Sequence, residues 1–391
     1  MRKHILTLGV ALLALATISC KKKEDEVAAP SNNQLIAETY ARIVYATYDD
    51  AVITAEALKT SIETFTDNPT AANLQACKDA YITARTPYEQ SEGFRFYDGP
   101  IDNATDGPEG YLNAWPLDES YIDYVDGDAN TGIINDITNY PTISTDVLIT
   151  SNGDGGEEYV SCGYHAIEFL LWGQDLSTTG PGARPYTDYV IGTGGTASNQ
   201  DRRAAYLIAC ADLLVEHLTQ VRDAWAPGQN NYRATFLSNP TEAVTNIILG
   251  IGRLSKFELS GERMSVALDN HDQEDEHSCF SDQTTNDIIL GQKSIVNIVR
   301  GKYVRMDNTV VEGTSLYSVM QGLDATFATS LNGALTLASD NAGLIQAPFD
   351  QEISISNPDG NARVQAAIDA IRDESTTFID MAARLSIIIS Y

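Results

Sequence analysis

The chain has 391 residues, with 25 basic against 54 acidic side chains and a formal net charge of −29. A charge of that sign opposes binding to nucleic acid and to anionic lipid headgroups, and concentrates cations near the surface. With 43% hydrophobic residues the chain can bury a sizeable core, and its length permits two domains.

The N-terminus reads as an export signal. Arg2, Lys3 and His4 precede an apolar run from Ile5 to Ile18 that is of signal-peptide length and too short to span a bilayer. The run ends in Thr17-Ile18-Ser19-Cys20, which resembles a lipobox, and the polar stretch Lys21-Lys22-Lys23-Glu24-Asp25-Glu26 follows. Residues 1–19 are therefore expected to be a lipoprotein signal peptide, and residues 20–34 a polar tether behind a lipidated Cys20. A diacylated cysteine anchors durably where one chain would not. The chain would then sit in the cell envelope, on the periplasmic face or the cell surface of the outer membrane. An ordinary secretory signal that ends near a cysteine is the alternative.

The apolar spacing is helical almost throughout. Residues 31–66 carry Leu35, Ile36, Ile43, Val44, Val52, Ile53, Ala57 and Leu58 at intervals of threes, fours and sevens. Asp67-Asn68-Pro69 ends this helix, and Thr70 caps a second over about 71–95. A stretch rich in Gly, Pro, Asp and Asn follows, with short helices expected near 118–125 and 131–138, and then a helix over 157–172. The second half predicts long helices over 200–225, 241–268, 283–303, 315–339 and 359–389. The segment Glu352 to Ser356 is the one candidate strand. These elements predict an all-α protein of two helical bundles: 35–175, a Gly-rich connection at 176–199, and 200–391.

Cysteine usage fits an oxidising compartment. Cys77, Cys162, Cys210 and Cys279 allow three pairings, and free buried thiols explain them equally well. There is no CxxC, P-loop, dinucleotide fingerprint, GxSxG elbow or CxxCH. Asp126, Asp128 and Asn130 begin like a calcium loop, but Thr131 stands where glycine is needed and Ile137 where the closing Glu belongs.

The segment with the most chemistry is Ser161-Cys162-Gly163-Tyr164-His165-Ala166-Ile167-Glu168-Phe169-Leu170-Leu171-Trp172-Gly173. His165 and Glu168, three apart, share a helix face, where both can ligate one metal or the carboxylate can orient the imidazole. Within so apolar a helix such groups must be paired or put to use. A plain salt link is the default reading of HxxE alone, and His271 with Glu274 repeats the spacing.

Gly163-Tyr164-His165-Ala166-Ile167-Glu168 resembles the GxHxxE motif of the imelysin family, also classed as M75 peptidases, and is most similar to its iron-regulated, IrpA-like branch. Glu258 to Met264 and Gln273 to Asp282 are similar to that branch too. So, more loosely, are Tyr88 to Phe96 and Trp115-Pro116. The resemblance covers about residues 35–390. It implies two related helical bundles with a site where they meet, and an envelope role in iron acquisition. His165 and Glu168 would form the core of that site, with Glu92, Trp115, Glu262, Arg263, Glu276 and His277 as further members. The cargo implied is iron or an iron-bearing small ligand, passed to an uptake-system protein. Zinc and manganese suit the same ligand types. A zinc peptidase of the HxxEH type needs a second His where Phe169 stands, and no HExxH occurs. A metallopeptidase and a metal-free interaction module are the rival functions. If the Cys162 and Cys279 segments face each other, those two cysteines could bridge across the site.

Overall fold

The computed structural model describes residues 30–391, so the signal segment and Cys20 lie outside the described residues. Helix α1 (Asn32–Asp67) buries Ile36, Tyr40, Ile43, Val44, Leu58, Ile62 and Phe65. Each such side chain contributes about 1.5–3 kcal/mol when fully buried. Alanines 37, 41, 51 and 55 on the same helix are also buried. They let α2 (Ala71–Glu89) and the later helix α4 (Gln200–Ala224) lie close along α1. Thr70 caps α2 by accepting the Asn73 amide at 3.2 Å. The GxHxxE motif occupies the short helix α3 (Tyr164–Trp172), every residue of which is buried, and α3 packs on α2 and α4.

The second half is built on α5 (Pro240–Arg253), which continues through a π-helical stretch, Leu254–Ser265, into α6 (Val266–Asn270). Packed with it are α7 (Thr284–Arg300), α8 (Leu316–Leu323), α9 (Ala325–Ala342) and α10 (Pro358–Arg384). The described residues thus form a fold that is helical apart from one short hairpin. The expected strand at 352–356 is instead the end of a short helix, Phe349–Ile353. The strands present are Lys302–Val304 and Val310–Glu312, paired as one antiparallel hairpin. Its Arg305 reaches Asp49 at 2.6 Å and Asp50 at 2.7 Å on α1.

Other differences have local causes. The second helix stops at Glu89, because Gly93 brings the chain against α7: its amide donates to Ser294 Oγ at 2.9 Å, and a Cβ there would lie 2.5 Å from Ile298. The helix expected over 157–172 begins at Tyr164, since Gly163 holds φ +93. The helix expected over 315–339 breaks at Asp324, whose side chain caps α9 through the Phe327 amide at 3.0 Å. Residues 131–138 are turns.

Helix α4, which spacing assigns to the second bundle, packs along α1 in the first group of helices. Residues 32–391 cluster as one unit. The Gly-rich segment is pinned by buried charges. Arg184 reaches Asp123 at 2.7 Å, and Arg203 of α4 grips both oxygens of Asp123 at 2.6 and 2.8 Å. Among the described residues only α4 has the length and mean hydropathy of a membrane span, and 56% of that window is buried within the protein.

Glu374 on α10 is fully buried, forms no ion pair among the described residues, and accepts hydrogen bonds from Gln292 at 3.0 Å and Ser255 at 3.1 Å. Burial pushes its carboxyl up to about 8. The folded state therefore keeps a proton there that the unfolded chain gives up above about pH 4.3. This contribution to stability is complete below that pH and is lost as pH rises through about 8. Glu374→Gln should flatten the fall in urea midpoint between pH 5 and 8.5; an unchanged slope would show that the carboxyl is ionised in the fold.

Candidate functional site

The GxHxxE motif starts at a constrained turn. Gly163 precedes α3 with φ +93, and a Cβ there would lie 2.7 Å from the Leu112 carbonyl oxygen. A side chain is thus excluded by both conformation and space. The turn aims His165 and Glu168 inward, and both are fully buried. His165 Nδ1 lies 3.0 Å from Glu168 Oε2. The other oxygen of Glu168 accepts the Ser281 amide at 3.0 Å and its hydroxyl at 2.6 Å, while Tyr81 donates to Oε2 at 3.2 Å. So many donors suit a carboxylate, which assigns the proton on His165 to Nδ1. Nε2 is left as a bare lone pair, buried and without a hydrogen-bond partner. Burial, reinforced by Arg85, holds the His165 pKa well below the usual histidine range, so the ring is neutral. Burial raises the Glu168 pKa to about 7, so the carboxylate that fixes this tautomer predominates above that pH.

The His165 ring packs against two others, that of His277 at 4.7 Å and that of Trp115 at 4.9 Å. His277 Nδ1 donates to Asp287 Oδ2 at 2.8 Å, and Asn113 Nδ2 meets its Nε2 at 3.3 Å. Arg85 ties this group together, bonding Asn113, Asp287 at 2.9 Å and Glu89 at 2.6 Å. One ligand atom each from Glu89, His277 and Asp287 lies within 4.8 Å of the others, near enough to share a metal ion.

Next to this group stands a second set of charges. Arg263 reaches Glu89 at 3.0 Å, Glu92 at 2.6 Å and Glu258 at 3.3 Å, and Arg95 reaches Glu92 at 2.8 Å and Glu109 at 2.9 Å. The π-helical stretch sets this up, since an i→i+5 repeat brings Glu258 and Arg263 onto one face. Such stretches are rare and recur at functional sites. Arg263 thus pairs with Glu89, Glu92 and Glu258, and not with Glu168 of the motif.

Part of this charge set borders a cleft of about 520 Å³. His277, Trp115, Asn113, Arg95 and Arg263 stand on its wall, and Glu109, Glu157, Glu258, Glu262, Glu274 and Asp275 also line it. His165 sits directly behind His277 and Trp115. Glu262 is exposed at the cleft, and Glu92 is buried beneath it. Glu276 is buried and does not line the cleft, and burial holds its carboxyl well above the usual carboxylate range. Arg85, Glu89, Asn113, Asp287 and Ser281 escaped the sequence reading. The signal for the first two was there: Arg85 and Glu89 lie four apart on α2 among residues otherwise apolar enough to be core.

The four cysteines of the described residues are free and buried. The Cys162–Cys279 bridge does not form. The Cys162 thiol instead meets the Tyr111 carbonyl at 3.7 Å, and the Cys210 thiol meets the Ser161 carbonyl at 3.7 Å.

A search of curated proteins finds iron-regulated protein A of Synechococcus elongatus, 25% identical over 95% of this chain and 92% of that protein. Two crystal structures share the fold. An iron-regulated protein A precursor from Parabacteroides distasonis aligns with TM-score 0.65 at 18% identity, over 92% of this chain and 97% of that one. An imelysin-like protein from Psychrobacter arcticum aligns with TM-score 0.62 at 14% identity, over 93% and 99%. The family model for imelysin, the M75 peptidase family, matches residues 44–378, and on that extent of match the chain belongs to the imelysin family.

Proposed function

We propose that this protein binds iron, or an iron-bearing small ligand, in the cleft beside His165 and passes it to an uptake-system protein. The observation that carries the reading is the Nε2 lone pair of His165: buried, unpartnered and oriented by Glu168 through Nδ1. Metal-binding imidazoles are held in this way, with the second nitrogen donating to a carboxylate. His277, neutral for the same reason and fixed by Asp287, is the neighbouring candidate ligand. The acidic side chains of the cleft draw cations in. Arg95 and Arg263 on its wall suit an anionic chelate of the metal. The name of the Synechococcus relative, iron-regulated protein A, agrees with this role. Zinc or manganese would satisfy the same ligands, so the metal is settled by competition.

The anchoring proposed is a lipid on Cys20, which holds the protein to an envelope membrane and its cargo near the uptake machinery. Cys20→Ser should then yield an uncut precursor without lipid label.

The family's peptidase class supports a second reading, hydrolysis through a metal-bound water. Purified protein supplied with iron, zinc or manganese should retain the metal and leave an unfolded protein substrate uncut. Metal-dependent cleavage would establish the peptidase instead.

A further inference from the structure

We infer that Arg85 is the resident cation of a metal-like site: its guanidinium stands where Glu89, His277 and Asp287 would otherwise hold a divalent ion, and so confines a cargo metal to the cleft side of His165 and His277. Among the described residues these three are the one group of its kind close enough to share an ion, with a ligand atom each within 4.8 Å of the others, and all three are buried. A single nitrogen of Arg85, Nη2, lies 2.6 Å from Glu89 and 2.9 Å from Asp287, with the Ser278 hydroxyl 3.5 Å away. An ion bridging both carboxylates would take that position. A metal–oxygen bond of about 2.0–2.2 Å would need each carboxylate to close in by less than about 1 Å.

The guanidinium is fixed there from several sides. Arg85 is 3% exposed, and its charge lies over the rings of Tyr164 at 5.1 Å and Tyr88 at 5.9 Å. Its Nη1 donates to Asn113, whose amide meets His277 Nε2. An arginine keeps its proton throughout the pH range of a folded protein, so the two carboxylates are matched without any metal. His277 Nδ1 is committed to Asp287 as well, so the imidazole can offer a metal only its Nε2. Two carboxylates and a histidine would grip a divalent metal firmly, three protein ligands being what a catalytic zinc keeps. With Arg85 among them, the neutral imidazoles of His165 and His277 are left to the cargo, and the looser hold suits a carrier that must let go. That consequence rests on the iron reading; the occupancy of the triad by Arg85 does not.

The test uses the full-length chain, stripped with EDTA and dialysed against Zn²⁺ as the probe. It is compared with Arg85→Met, and that with the double variants Arg85→Met/Asp287→Asn and Arg85→Met/His165→Ala. Arg85→Met keeps much of the side chain's bulk and removes its charge. It should take one Zn²⁺ per chain more than the unmodified protein, keep that gain with His165→Ala and lose it with Asp287→Asn. Free of metal, the variant strands two buried carboxylates, so its Tm should fall by about 5–10 °C. Zn²⁺ at a hundredfold excess over Kd should restore roughly half of that fall. No extra Zn²⁺ in Arg85→Met, a gain that survives Asp287→Asn, a gain lost with His165→Ala, or a variant that stays unfolded in Zn²⁺ would each overturn the proposal. The gain is read as a difference, so an unmodified protein that binds no metal would sink the iron reading and leave this one standing.

Discussion

Replacing His165 by alanine should lower iron affinity by on the order of a hundredfold and leave the helical content unchanged. The substitution removes the one buried nitrogen in the cleft region whose lone pair no protein group uses. Removing a group that merely orients a ligand typically weakens metal binding about ten- to a hundredfold, and loss of the ligand itself sets the upper end. The structural effect is smaller. The ring leaves a gap beside Trp115 and His277, while Glu168 keeps Ser281 and Tyr81. Glu168→Gln supplies the graded comparison, since its amide oxygen can still accept from Nδ1 but carries no charge. It should weaken binding less than His165→Ala does. Equilibrium titration of the purified proteins with iron under exclusion of air distinguishes the readings. If the pair only locks the two groups of helices together, both variants lose stability and iron affinity stays where it was.

The same residues show what a sequence exposes and what it hides. The helices were legible because apolar periodicity follows burial, and α1 buries the stripe its spacing predicts. The GxHxxE pair was legible because His and Glu are out of place in so apolar a helix. The partners were hidden by distance along the chain. Ser281 lies 113 residues from Glu168, and Glu89 lies 174 from Arg263. Only the fold brings such residues together, and a polar residue on a helix reads as solvent-facing until the facing helix is known. The π-helical stretch was hidden as well, since 254–265 continues an ordinary amphipathic pattern and the wider turn shows only in which side chains meet. Glu276 and His277 adjoin in sequence, but extended backbone sends them to opposite sides, and only His277 lines the cleft.

Arg263→Ala should destabilise the fold by about 3–5 kcal/mol, the range for removing one partner of a buried ion pair. Arg263 is 2% exposed and holds two carboxylates, Glu89 and Glu92, that are fully buried. Burial alone would push Glu92 up; Arg263, and then Arg95, outweigh it and hold its pKa below the usual range. A depressed carboxylate stabilises the fold above its unfolded pKa and ceases to as pH falls through its folded pKa. The gap between the unmodified protein and Arg263→Ala should therefore be widest near neutral pH and should narrow in acid, below about pH 4, where Glu92 takes up a proton. Adding Glu92→Gln to an Arg263→Met background should recover part of the loss, because the stranded charge goes with its partner. Lys59, whose bridges to Asp212 at 2.8 Å and Glu63 at 3.5 Å face solvent, is the control. Lys59→Ala should change stability by less than about 1 kcal/mol. Urea unfolding of the set at several pH values reads all of these at once. A cost for Arg263→Ala no larger than that for Lys59→Ala would mean the arginine is dispensable to the fold, leaving it free to serve the anion of an iron chelate alone.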